Sequence, residues 1–219
     1  MALFQQGNSE VTSALPSHES PFLTIWRHPR ETIRWIIAED QSLHVMWLVC
    51  LAGIVDVLSR DFARDTGDRP MAAIIAAILG ACISGPLRGL LSLWIFSHLI
   101  RLTGGWIGGR ATREHIRAAL AWGLVPIVSG LPLSILLAVN SHMFADEAPS
   151  LAAQPRLLVF GLMGAILVQL VLTAWSVALL CQTVAEVQGF RSGWSALGNL
   201  SMATVLFLVS VFIIITLLT

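Results

Sequence analysis

The chain of 219 residues has no lysine, no tyrosine, three cysteines and only 12% charged residues. A soluble domain carries roughly 25% charged residues. Half that load in a chain that is 56% hydrophobic excludes a water-soluble globular domain and reads as an integral membrane protein. Without lysine there is no Walker A loop, and all 13 basic residues are arginine, a bias that fits a GC-rich bacterial genome. Without tyrosine, tryptophan must supply any aromatic belt at a membrane surface. The net charge is zero, so bulk electrostatics gives no reason to expect nucleic-acid binding. Cys50, Cys82 and Cys181 fall inside apolar runs, with no spacing for zinc or a disulfide framework; they read as small packing residues. No HExxH and no GxSxG is present. Of the six histidines, His44, His98, His115 and His142 fall near expected membrane boundaries and read as interfacial polar residues. The residues converge on no nucleophile, base or metal cage, so no catalytic residue, cofactor or metal is expected.

What the chain does have is five long apolar runs, and the fold class expected is an all-α polytopic membrane protein. Residues 1–20 are polar, lack signal-peptide features and are expected to be disordered. In residues 21–42, PFLTIWRHPRETIRWIIAED leads into the first run. Pro29 suits a first helical position, and Ile33, Ile36 and Ile37 share one face. Trp26 and Trp35 add interfacial side chains, so an amphipathic helix lying on the cytoplasmic membrane surface is expected. Residues 43–219 then hold five spans: about Leu43–Phe62, Met71–Leu102, His115–His142, Leu157–Ala185 and Trp194–Leu218. The first of these is expected to target the protein as well as anchor it. Gly85-Pro86, Pro126 and Pro132 are the expected kink points.

Arginine placement sets the orientation. Arg27, Arg30, Arg34, Arg101, Arg110, Arg113, Arg117 and Arg191 fall on one side of the five-span scheme; Arg60, Arg64, Arg69 and Arg156 fall on the other. Eight against four places the N-terminus in the cytoplasm and the C-terminus in the periplasm of a bacterial inner membrane. The bilayer is thus one partner, with anionic headgroups at the cytoplasmic face. A homo-oligomer or a larger membrane complex stays open.

ISGPLRGLLSLW, residues 83–94, poses the sharpest question, because it sets a permanent charge, Arg88, inside an apolar run. Intramembrane charges are functional hypotheses by default. Arg88 lies about 27 Å down a straight helix from Pro70, whereas Asp56 lies about 10 Å below the same edge of its own span. On that arithmetic the two depths do not match and no direct pair is expected. Arg88 is then placed in the cytoplasmic half, as a staple on the carbonyl freed by Pro86 or lining a lipid or ion path. Gln169 is another candidate partner for it. Asp56 is expected to pair with Arg60 one turn away. TGGWIGGRATRE, residues 103–114, reads as a glycine turn between two long helices. Its Arg110 and Arg113, together with Arg117, are candidates to meet lipid phosphates.

Taken in order, three stretches resemble bacterial Yip-domain proteins. They are HPRETIRWIIAED before the first span, LTGGWIGGRATREHIRAALAWGLVPIV, and AWSVALLCQTVAEVQGFRSGWSAL with Trp175 in its middle. The resemblance covers about residues 21–218. It implies a five-helix fold, a cytoplasmic N-terminus and no catalytic residue. The family is named for eukaryotic members that bind Ypt/Rab GTPases in vesicle traffic; their N-terminal region is longer than the 42 residues here.

The reading that follows is a non-enzymatic membrane scaffold or accessory subunit that organises membrane or partner proteins. The alternative is a lipid or small-solute transporter with a polar groove around Arg88. Ala72, Ala73, Ala76, Ala77, Gly80 and Ala81 form a small-residue surface on the second span, open to packing within or between chains.

Overall fold

The computed structural model describes residues 20–40, 42, 44–64, 71–136 and 156–218. All regular structure among them is helical. In chain order the elements are α1 (Pro21–Thr24), α2 (Pro29–Glu39), α3 (Val45–Arg64), α4 (Met71–Trp106), α5 (Arg113–Gly123), α6 (Val125–Ser129), a helical stretch at residues 131–136, α7 (Arg156–Gln188) and α8 (Gly193–Leu218). The expected polar N-terminal segment, apart from Ser20, lies outside the described residues.

Among the described residues three helices are long and apolar enough to cross a membrane, over Ile74–Trp106, Val159–Gln188 and Gly193–Leu218. The other two expected spans differ from this pattern for separate reasons. At 20 residues, α3 matches the length of a span, but Asp56, Arg60, Asp61 and Arg64 crowd its second half. The third expected span is broken rather than continuous. It stops at Leu124, restarts as α6 with Pro126 in its first turn, and turns again at Gly130 before the segment containing Pro132. Proline has no N–H to continue the ladder, so the breaks fall where the prolines predicted bends. The hydroxyl of Ser176 on α7 donates to the Gly123 carbonyl at 2.7 Å, and that of Thr183 donates to the Ala119 carbonyl at 3.0 Å. In an apolar setting such carbonyls need partners, and α7 supplies them. By contrast, α4 runs unbroken through Pro86.

Two close packings organise the bundle. α3 lies antiparallel against α4, with Gly53 facing Gly85 and Gly89 facing Val49. A Cβ built on Gly85 would stand 2.7 Å from the Ile54 Cα, and one on Gly53 would collide with the Gly85 carbonyl. The glycines let the two backbones touch. The small-residue surface expected on α4 is not this contact: Ala72, Ala76 and Gly80 are exposed, Gly80 has open space around it, Ala77 is half-buried and Ala81 is fully buried. The second packing sets α5 against α7, with Gly123 beside Leu180. Ile116, Ala118, Ala119, Trp122, Val184 and Ala185 are fully buried there.

α2 also packs into this core. Ile33 and Ile36 are fully buried against α5 and α7, rather than turned to lipid. The apolar face was legible, but the partner it meets is protein. α1 is held by Phe22, whose ring lies 4.9 Å from that of Trp122.

Candidate functional site

The end of the bundle that carries the basic residues is built by two matching turns. α4 ends with Gly108 at φ +88°, with the Gly109 amide donating to the Gly104 carbonyl at 2.8 Å. α7 ends with Gly189 at φ +75°, with the Phe190 amide donating to the Ala185 carbonyl at 2.8 Å. Both are Schellman caps, in which glycine takes the left-handed position. The two turns are joined: the Arg110 amide donates to the Gln188 carbonyl at 3.2 Å, and the Ala111 amide to Gln188 Oε1 at 3.3 Å. Gln188 Nε2 and Asn199 Nδ2 both donate to the Ile100 carbonyl, and Thr103 Oγ1 donates to Asn199 Oδ1. This buried clasp ties α4, α7 and α8 and the start of α5 together. Its side chains fill the space that a Cβ on Gly104 or Gly109 would take. Sequence reasoning missed Thr103, Gln188 and Asn199. The available signal was an asparagine set among apolar residues, where an amide requires partners.

α2 is clamped to the same end. Arg30 Nε donates to Gln182 Oε1 at 2.6 Å, and Arg34 donates twice to Glu186 Oε1, at 3.0 and 2.6 Å. Beyond α2, the Ser42 hydroxyl and amide both donate to Asp40, and the side-chain bond, then the backbone one, holds its carboxyl below the usual range. The eight arginines grouped by the sequence thus sit on elements meeting at one end. Arg101, Arg110, Arg113 and Arg191 are exposed there and Arg117 is half-buried. Among the described residues, none of these five makes an ion pair. Trp26 and Trp35 are half-buried beside the core. Trp26 lines a groove of about 430 Å³ with Arg27, Arg30, Trp175 and Gln182.

Away from the basic end, α3 and α4 hold an ionic cluster. Asp56 Oδ1 accepts from Arg60 Nε at 2.9 Å, as the one-turn spacing suggests. Its Oδ2 lies 2.9 Å from Arg88 Nε. This corrects the expectation that Asp56 and Arg88 are too far apart in depth. That arithmetic took the spans as straight and their ends as level. In the register set by the glycines, Arg88 is level with about residue 50 of α3, and Asp56 stands about 9 Å further along. The two side chains cover that offset. Gln169 is not part of the cluster. Its Oε1 is buried beside Gly130 and has no hydrogen-bond partner among the described residues. The groove at Trp26 contains none of Asp56, Arg88 and Gln169. Among the described residues no group of three or more His, Cys, Asp or Glu could hold a metal ion.

A helical bundle with three membrane-capable helices defines a polytopic membrane protein. The Yip1 domain model matches residues 23–215, so the chain belongs to the Yip1 family, a family of non-enzymatic membrane proteins. No curated protein and no solved structure matches it.

Proposed function

We propose that the chain is a five-span bacterial inner-membrane protein with a cytoplasmic N-terminus, working as a scaffold or accessory subunit. Its basic end is the working surface, held against anionic headgroups and partner proteins. The observation that carries this reading is the set of arginines at that end that make no ion pair among the described residues, Arg101, Arg110, Arg113, Arg117 and Arg191. They stand on and beside the two turns that the Gln188 and Asn199 hydrogen bonds tie together. Charges so placed attract anionic surfaces at about 1 kcal/mol per arginine near the membrane. α3 enters the membrane in this reading because Asp56 is paired with Arg60 and Arg88, and the broken third segment because the Ser176 hydroxyl of α7 satisfies the Gly123 carbonyl at the break.

The test is purification from native membranes in mild detergent, comparing wild type with an Arg110→Glu, Arg113→Glu, Arg117→Glu variant. The reading expects a protein recovered at fixed stoichiometry with wild type and lost from the variant, at an unchanged unfolding midpoint. Recovery at no fixed ratio, or recovery indifferent to the reversed charges, contradicts it.

A further inference from the structure

Among the described residues the Asp56–Arg60–Arg88 cluster does not close electrically: two guanidinium groups share one carboxylate, leaving one positive charge. Each guanidinium gives its Nε to a different oxygen of Asp56, and each has five N–H donors in all. The cluster is not sealed: the side chains of Asp56, Arg60 and Arg88 are 40%, 52% and 51% exposed. Its surroundings are apolar, because the neighbouring turns of α4 present Ile83 and Leu87 at 79% and 72% exposure. A free charge on a hydrocarbon-facing surface is costly. Arginine side chains reduce that cost by reaching for polar groups at the membrane surface.

The depth of the cluster identifies the polar group. In the α3–α4 register Asp56 is level with about residue 82 of α4. From Thr103 in the clasp to that level is about 32 Å of helix, close to the roughly 30 Å thickness of the hydrocarbon. α8 gives a second ruler. From Asn199, which bonds Thr103, to the helix end at Leu218 is about 29 Å. When the basic end sits at one membrane face, the cluster lies about 32 Å along α4, near the headgroups of the other, and the apolar turns of α4 from Ile74 to Ala81 run on past it.

We propose that Arg60 and Arg88 form a site for the phosphodiester of an anionic phospholipid in the leaflet opposite the basic end. Asp56 acts as the positioning residue that holds both guanidinium groups side by side. The planar fork of arginine matches phosphate oxygens, one oxygen for each arginine. A phosphodiester carries one negative charge, so two arginines, one carboxylate and one phosphodiester sum to zero. The acyl chains would lie along the exposed Ile83 and Leu87. This explains why ISGPLRG combines its residue types. Gly85 and Gly89 bring α3 close enough for Asp56 to meet Arg88, and the charge serves a lipid rather than a carbonyl at the proline. The inference rests on α3 and α4 both crossing the membrane, as in the proposed function, and concerns the face opposite the one proposed there.

The test is native mass spectrometry of the full chain in detergent, titrated with phosphatidylglycerol or with diacylglycerol, which lacks the phosphate. Wild type should retain one more phosphatidylglycerol than Arg88→Gln, with retention at that site about tenfold weaker in the variant. Arg60→Gln, on an exposed flank where folding is not at risk, should lose the same single lipid, and the double variant should lose no more than either. Arg101→Gln, at the other end, should keep it. Diacylglycerol should not occupy the site, and millimolar inorganic phosphate should not displace the lipid. Equal retention in wild type, Arg88→Gln and Arg60→Gln overturns the site, as does equal retention of diacylglycerol. Displacement by inorganic phosphate overturns the lipid assignment in favour of a soluble anion. Sidedness labelling of the α3–α4 loop separates this failure from failure of the topology: with the loop outside, lost lipid discrimination counts against the site alone.

Discussion

Arg88 and Asp56 meet at 2.9 Å across the α3–α4 contact, although their backbones are offset along the helices by about six residues. The arginine starts from the turn of α4 between Gly85 and Gly89, where the two backbones touch, and reaches the carboxylate already held by Arg60.

The sharing of Asp56 predicts an asymmetric response to substitution. Asp56→Leu leaves two arginines unpaired, whereas Arg88→Leu leaves Asp56 with Arg60. Thermal unfolding in detergent should show Asp56→Leu losing about 1–2 kcal/mol, between the worth of a surface pair and the cost of a stranded buried charge. Arg88→Leu should lose less, and the double variant should recover part of the Asp56→Leu loss. Equal and additive losses would count against a shared cluster.

The glycine contact predicts a contrast between a glycine inside it, on α3, and one outside it, on α4. Gly53→Ala sets a methyl against the Gly85 carbonyl and should cost about 1–3 kcal/mol, the usual range for overpacking. Gly80→Ala meets nothing and should be neutral, or stabilising by up to about 1 kcal/mol through helix propensity. Comparing the two unfolding midpoints checks the register that brings Arg88 to Asp56.

The clasp predicts that single amides matter. Asn199→Leu removes the side-chain acceptor of the Thr103 hydroxyl, which also bonds the Leu99 carbonyl, and a donor to Ile100, and Gln188→Leu removes the acceptor for the Ala111 amide and another donor to Ile100. Each should cost about 1–3 kcal/mol, the penalty for stranding buried polar groups. Limited proteolysis should then cut first in the Gly104–Gly109 turn; cleavage elsewhere, with an unchanged midpoint, would deny the clasp its role.

These sites differ in how far the sequence exposed them. The long helices were legible because runs of apolar residues as long as a bilayer is thick have few other uses. The ends of α4 and α7 were marked by glycine, and the breaks near Pro126 and Pro132 by missing N–H groups. The Asp56–Arg88 pair was hidden because register between helices depends on where small residues let backbones touch, which a depth count along one helix does not contain. The apolar stripe of α2 was visible, but Ile33 and Ile36 look the same whether they face lipid or α7. Gln188 and Asn199 were missed because a lone amide has no period.

The α2 clamp predicts rescue by exchange. Arg34→Glu should loosen α2 from α7, shifting Trp35 emission and costing about 0.3–1 kcal/mol as an exposed pair. Glu186→Arg in the same chain should restore both. If the exchange variant behaves like the single one, the Arg34–Glu186 contact does not hold α2 in place.

Five crossings with the basic end inside underlie both the proposed working surface and the site at Arg88. The direct measurement is labelling of single cysteines, in a background lacking the three native ones, by a membrane-impermeant maleimide on intact spheroplasts. Cysteines at Thr66 and Ser150 should react without permeabilisation, and cysteines at Glu39 and Glu114 only after it. Labelling of Thr66→Cys only after permeabilisation would mean that α3 does not cross, and would contradict both the five-span bundle and the placement of Arg88 at the outer surface.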